Sequence, residues 1–208
     1  MKFRLTYRGE LRPTQRGPQD SQKDSLASHK QKIRRVFNGQ LKQLWTTNRF
    51  LRDHRVFPKS GIAYRPIADI RAVWGGDEDK MIPMVEEIAA HYHRFDYRFV
   101  PLVRDEISLL CSIDVLFLRN DTPGSLLHAG DLDNRIKTLI DALCLPISPN
   151  EMEGDQGPGA DEDPFFCLLE DDRQVSKLSV ETDALLEAHS SDLSLAHLVS
   201  QSSYGPIM

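Results

Sequence analysis

Residues 2–8 alternate Phe3, Leu5 and Tyr7 with Lys2, Arg4, Thr6 and Arg8, the period-two pattern of a strand with one polar face. Residues 12–24 are polar and hold Pro13, Gly17 and Pro18, which predicts a loop. A helix is expected from Asp24 or Ser25 to about Trp45. There Ile33, Phe37, Leu41 and Leu44 recur at helical spacing among Lys30, Lys32, Arg34, Arg35 and Lys42. Residues 62–67 and 70–74 read as extended segments closed by Gly75-Gly76-Asp77, and residues 84–92 as a short helix. Residues 96–103 and 107–118 read as strands. The second is nearly continuous in Leu109, Leu110, Ile113, Val115, Leu116, Phe117 and Leu118, as a central strand covered on both faces would be.

A turn at Asp121-Thr122-Pro123-Gly124 leads to Asp131-Leu132-Asp133, and a second main helix follows. Its buried stripe is Ile136, Leu139, Ile140 and Leu143, and Pro146 stops it. Residues 147–164 are expected to form an acidic flexible loop, since positions 151–164 alone carry six acids, three glycines and two prolines. Residues 165–169 predict a strand delivering Glu170-Asp171-Asp172. Alternation around Leu178 and Val180 predicts another, residues 195–199 a last short one, and a loose tail runs to Met208. The expected whole is one α/β (α+β) domain over residues 1–208, with a mixed sheet and two main helices. That length suffices for one good core.

Charge alters this picture, because the net −5 hides an asymmetry. Residues 1–60 hold fifteen Lys and Arg against four Asp and Glu, whereas residues 151–208 hold two against thirteen. Such a split predicts a basic surface for phosphates and a separate acidic part, although a solvated basic helix would carry the same charges. No apolar run reaches the roughly 18–20 residues that span a bilayer, so no membrane partner is expected. Residues 1–8 lack the apolar stretch of a signal peptide, which leads to an expected cytoplasmic location. Cys111, Cys144 and Cys167 sit in apolar surroundings without a Cys-x-x-Cys pair, and are expected as buried thiols rather than zinc ligands.

The chemistry concentrates in residues 130–143. Asp131 and Asp133, at i and i+2, point to one side of an extended chain just before a helix. Hard oxygens so close together suit Mg²⁺, which takes a few carboxylates and keeps waters for substrate phosphate. Lys137 lies one turn beyond Asp133, where a cation can neutralise charge on a phosphodiester, and Asp141 lies one turn further. The same spacing equally fits an N-cap followed by i,i+4 ion pairs among Asp133, Lys137 and Asp141. A second set of acids, Asp171 and Asp172, follows the apolar run 165–169, and strand ends are rigid places for a ligand.

Together, Asp131-Leu132-Asp133-Asn134, Lys137, Asp141-Ala142-Leu143 and Leu169-Glu170-Asp171-Asp172-Arg173-Gln174-Val175 resemble the RusA family of Holliday-junction resolvases, over about 50 residues. The resemblance implies a RusA-like homodimer that makes paired nicks in branched DNA during recombination and repair, dependent on Mg²⁺ with Mn²⁺ as a substitute. Carried over, it makes Asp131, Asp133 and Asp172 both metal ligands and catalytic residues, with Lys137 the catalytic cation. Asp171 matches the first acid of the family's pair. Arg34 and Arg35, on the basic helix, are the expected contacts to nucleic acid. Two other readings stay open: a metal-dependent nuclease acting on other DNA or on RNA, and a non-catalytic DNA-binding or assembly module. No phosphate-binding glycine loop, dinucleotide fingerprint or His-Glu-x-x-His motif occurs.

Among weaker candidates, His91-Tyr92-His93 lacks a third ligand nearby, and His128 precedes the acidic motif by three residues. Trp45, Phe50, Tyr64 and Trp74 flank basic positions and are expected in core packing rather than stacked on bases.

Overall fold

The computed structural model describes residues 1–14, 25–58, 81–119, 132–152, 157–185 and 195–201. The extended segments expected at 62–67 and 70–74, the turn at 121–124, Asp131 and His128 lie outside these residues, as do the tail beyond 201 and most of the loop at 12–24. The chain is mixed α and β, with four α-helices among the described residues.

Strand β1 (Lys2–Arg8) buries Leu5 and Tyr7 and exposes Lys2, Arg4, Thr6 and Arg8, as its alternation requires. Helix α1 (Leu26–Thr47) starts where Ser25 caps it, the hydroxyl accepting from Ser28 N at 3.1 Å. Its buried face runs His29, Ile33, Phe37, Leu41 and Trp45, one residue per turn. A short helix α2 (Arg49–Asp53) follows, then the two-residue ladder of β2 (Arg55–Val56) with β3 (Ile82–Pro83). Helix α3 (Met84–His91) packs on β5 (Tyr97–Val103). Strand β4 (His93–Arg94) turns into β5 through Phe95 and Asp96, both left-handed at φ 52° and 65°. Two such residues give the twist a tight hairpin needs, so Asp96 belongs to the turn rather than to the strand expected there.

Strand β5 pairs in parallel with β7 (Phe165–Leu169), and almost every residue of the two is buried. Helix α1 covers β7, where Trp45 meets Phe166 at 6.0 Å between ring centroids. Buried Asn38 on α1 accepts from Phe166 N at 2.8 Å, so a polar side chain inside the core serves a backbone donor. A second sheet has the order β1, β9, β6, β8, with β6 spanning Cys111–Arg119, β8 Val175–Ala184 and β9 Leu195–Gln201. β6 and β8 are parallel, and β9 is antiparallel to both β1 and β6.

The doubly covered strands are therefore β5 and β7, not β6. In β6 Cys111, Ile113, Val115 and Phe117 are buried while Ser112, Asp114, Leu116 and Leu118 are half-buried. Ser112 and Asp114 give one face a polar period that the apolar run conceals. The strand expected from residue 107 starts only at Cys111, and Ile107 closes a one-turn 3-10 helix, Asp105–Ile107, instead. Helix α4 (Leu132–Leu143) buries Ile136, Thr138, Leu139, Ala142 and Leu143 and packs on α1. No helix among the described residues is long and apolar enough to cross a membrane.

The acidic stretch differs from the free loop expected of it at both its described ends. Residues Pro149–Met152 form a 3-10 turn with Met152 buried, and Glu151 accepts from the Arg34 guanidinium at 3.1 Å. Farther on, Glu162 pairs with Arg35 at 2.8 Å and Asp163 with Arg98 at 2.8 Å. Much of the basic charge of α1 is thus matched from within the chain.

Candidate active site

The start of α4 is tied to the N-terminal region. Thr14 donates its hydroxyl to the Asn134 carbonyl at 2.9 Å, Thr138 donates to the same oxygen at 3.1 Å, and Arg135 donates to the Leu11 carbonyl. These bonds fix the first turn, and with it the base of Asp133. Asp133 and Lys137 both point to solvent, one turn apart, and neither makes an ion pair with a described residue. Asp141, the third member of the i,i+4 series, is instead held by Lys30 of α1 at 2.6 Å. The ladder of pairs along α4 that spacing alone allowed is not formed: Lys30 takes Asp141, and Asp133 and Lys137 make no ion pair with each other.

The second group of acids is built by β7. Its buried apolar run ends at Leu169, where Leu145 N donates to the Leu169 carbonyl at 3.0 Å and Cys144 forms a parallel bridge. Glu170 then faces inward, accepting from Tyr92 Oη at 2.9 Å and Asp105 N at 2.8 Å. Burial, with that carboxylate beside it, raises the Tyr92 hydroxyl above its ordinary value. Asp171 caps the 3-10 turn Asp172–Gln174, with Gln174 reaching back to the Glu170 and Asp171 amides in a capping box. Its carboxylate also accepts from Arg173 Nε at 2.8 Å, and this guanidinium, followed by the Arg173 amide, lowers Asp171 below the usual carboxylate value. Asp171 is therefore committed to shaping the turn, while Asp172 next to it faces solvent without a salt bridge among the described residues.

At its far end α4 brings Asp141 near the acids that follow β7, while Asp133 stands in its first turn, at the other end of the helix. The Cys144 thiol is pushed up to about 12, first by burial and then by the charges of Asp172, Asp141 and Asp171. Beyond the parallel ends of β5 and β7 opens a cleft of about 530 Å³, lined by Arg94, Asp105, Leu110, Ile147, Asp171 and Arg173 among others. Clefts outside the carboxyl ends of parallel strands are frequent ligand sites in α/β sheets. Asp133 and Lys137 do not line it.

Of the expected metal ligands, Asp133 and Asp172 are on the surface and Asp131 is outside the described residues. Among the described residues no group of three His, Cys, Asp or Glu could hold a metal ion. The donors themselves are the hard carboxylate oxygens that Mg²⁺ accepts. His91 and His93 are exposed, and His91 packs on the edge of Tyr92.

Arg34 does not lie where a contact to nucleic acid requires. It is 1 % exposed, its guanidinium donating to the Asp141 and Glu151 carbonyls at 3.1 Å each and pairing with the Glu151 carboxylate. A charge taken from water needs such partners, and these tie α1, α4 and the 149–152 turn together. Arg35 is exposed and paired with Glu162. Trp45 is buried as expected, whereas Phe50 is 62 % exposed and stacks on His54 at 4.8 Å. The Asp171-x-x-Gln174 capping box went unread, although its spacing is visible in the sequence.

Compared with known proteins, the chain matches no family model, no curated protein and no solved structure.

Proposed function

We propose that this chain is a Mg²⁺-dependent endonuclease acting on branched DNA, with Asp131, Asp133 and Asp172 as the metal ligands and Lys137 as the catalytic cation. The observation that carries the reading is selective. Asp141 and Asp171 are consumed by Lys30 and Arg173, while Asp133, Lys137 and Asp172, which the RusA resemblance singles out, face solvent without ion pairs among the described residues. A bound Mg²⁺ would supply an activated water and charge neutralisation at the scissile phosphate. Lys137 Nζ places a positive charge one helical turn from Asp133, where it favours a phosphodiester gaining negative charge. Asp171 holds the backbone turn from which Asp172 projects, and is a positioning residue.

Backbone contact is assigned to the exposed face of β1, where Lys2 and Arg4 present their cations. Two equivalent sites for paired nicks require a homodimer. The test is incubation with labelled four-way junction, flap, linear duplex and RNA substrates, in Mg²⁺ and in chelator. Cleavage of the junction in Mg²⁺ and none in chelator is the expected result. Cleavage that survives chelator, or no cleavage of any substrate, overturns the reading.

A further inference from the structure

β8 is an edge strand whose outer side has no pairing strand among the described residues. Its ten residues, Val175–Ala184, hold no proline or glycine, and no bulge interrupts its pairing with β6 after the irregularity at Cys111/Ser112. Natural sheets blunt long edges with proline, bulges or charged side chains, because unpaired N–H and C=O groups recruit another strand, and of these β8 has only charges, of both signs. The register with β6 sorts its side chains. Leu178, Val180 and Thr182 lie opposite Ile113, Val115 and Phe117 on the core side of the sheet, and Lys177, Ser179, Glu181 and Asp183 lie on the other. Leu178 is nevertheless 44 % exposed, and no described strand pairs along its outboard flank.

We infer that the outer edge of β8, unpaired among the described residues, docks on the same edge of a second copy of this chain, antiparallel and centred on Ser179. In that register the side chains are self-complementary. Leu178 stands opposite the partner's Val180, and Lys177 opposite the partner's Glu181, each pair occurring twice by symmetry. Direct cross-strand pairs of these two kinds stabilise an antiparallel ladder, whereas like charges opposite one another oppose it. Lys177 already lies 3.9 Å from Asp114 on β6, so the partner's Glu181 extends an existing run of alternating charge. The two four-stranded sheets become one sheet of eight strands, and Leu178 loses its exposure. The proposed function calls for a dimer but names no surface; the β8 edge rests on none of the catalytic residues and is tested without any cleavage assay.

The experiment is sedimentation equilibrium of the full chain at low salt. Wild type is expected as a dimer at micromolar concentration. Lys177→Glu sets Glu opposite Glu at two places and is expected to weaken dimerisation at least about tenfold. Adding Glu181→Lys to it restores opposite charges and returns the constant to within about threefold of wild type. Ser179→Cys is expected to give a disulfide-linked dimer on mild oxidation, because the central residue meets its own copy. A monomeric wild type, a Lys177→Glu variant that dimerises like wild type, a double variant that fails to recover, or Ser179→Cys that stays uncrosslinked in a dimer each overturns the inference.

Discussion

Two sets of acids on this chain carry the same charge and have opposite fates. In the stretch from Glu151 to Asp163, Glu151, Glu162 and Asp163 close onto Arg34, Arg35 and Arg98. At α4 and the end of β7, Asp133 and Asp172 stay open to solvent while their neighbours Asp141 and Asp171 are taken by cations. The difference teaches that net charge along a sequence does not locate a phosphate-binding surface or a metal site. The charges to weigh in seeking either are those that remain after the chain has satisfied its own.

The sharpest way to break this comparison is at Arg34, the interior end of the first set. Arg34→Ala removes donors from the carbonyls of Asp141 and Glu151 and leaves a cavity where α1, α4 and the 149–152 turn meet. It is expected to cost about 3 kcal/mol in denaturant unfolding. A loss below about 1 kcal/mol would mean that Arg34 is not a structural tie. Along α4 the contrast is sharper in kind and smaller in size. Asp141→Asn strands the half-buried Lys30 and is expected to cost about 1 kcal/mol, whereas Asp133→Asn should change stability by under about 0.5 kcal/mol. Equal losses at the two positions would erase the distinction between paired and open acids. Smallest is Glu162→Gln, which weakens a pair whose Arg35 is 42 % exposed. Its effect should stay within about 0.5 kcal/mol and fade with added salt.

The sequence displayed the elements well wherever one face is buried and short-range periodicity suffices. β1, the start of α1 at Ser25, α4 and β7 all fall where the pattern puts them. β6 misled because leucines at 116 and 118 fill its half-covered face and hide the polar period of Ser112 and Asp114. Arg34 also misled, yet its position was informative. It shares a stripe with Asn38, Leu41 and Trp45 at helical spacing, so a guanidinium on that face is directed inward. Its partner Glu151 lies 117 positions away, and no local pattern announces that pairing. The anchoring of the acidic stretch was illegible for the same reason, since composition reports charge but not contact. At the candidate site the residue types were legible, and the assignment of Asp171 to a turn rather than a ligand was readable only from the Gln174 spacing.

The central claim is that the open carboxylates do chemistry and the paired ones hold structure, and Asp133 tests it most directly. Asparagine keeps the size of aspartate and removes the charge a divalent cation depends on. Binding and cleavage of a labelled four-way junction in Mg²⁺ should be measured for wild type and Asp133→Asn, with thermal melts of both. The account predicts an unchanged melting temperature, junction binding as tight as wild type or tighter, and cleavage reduced below detection. A folded Asp133→Asn protein that cuts at the wild-type rate would contradict it.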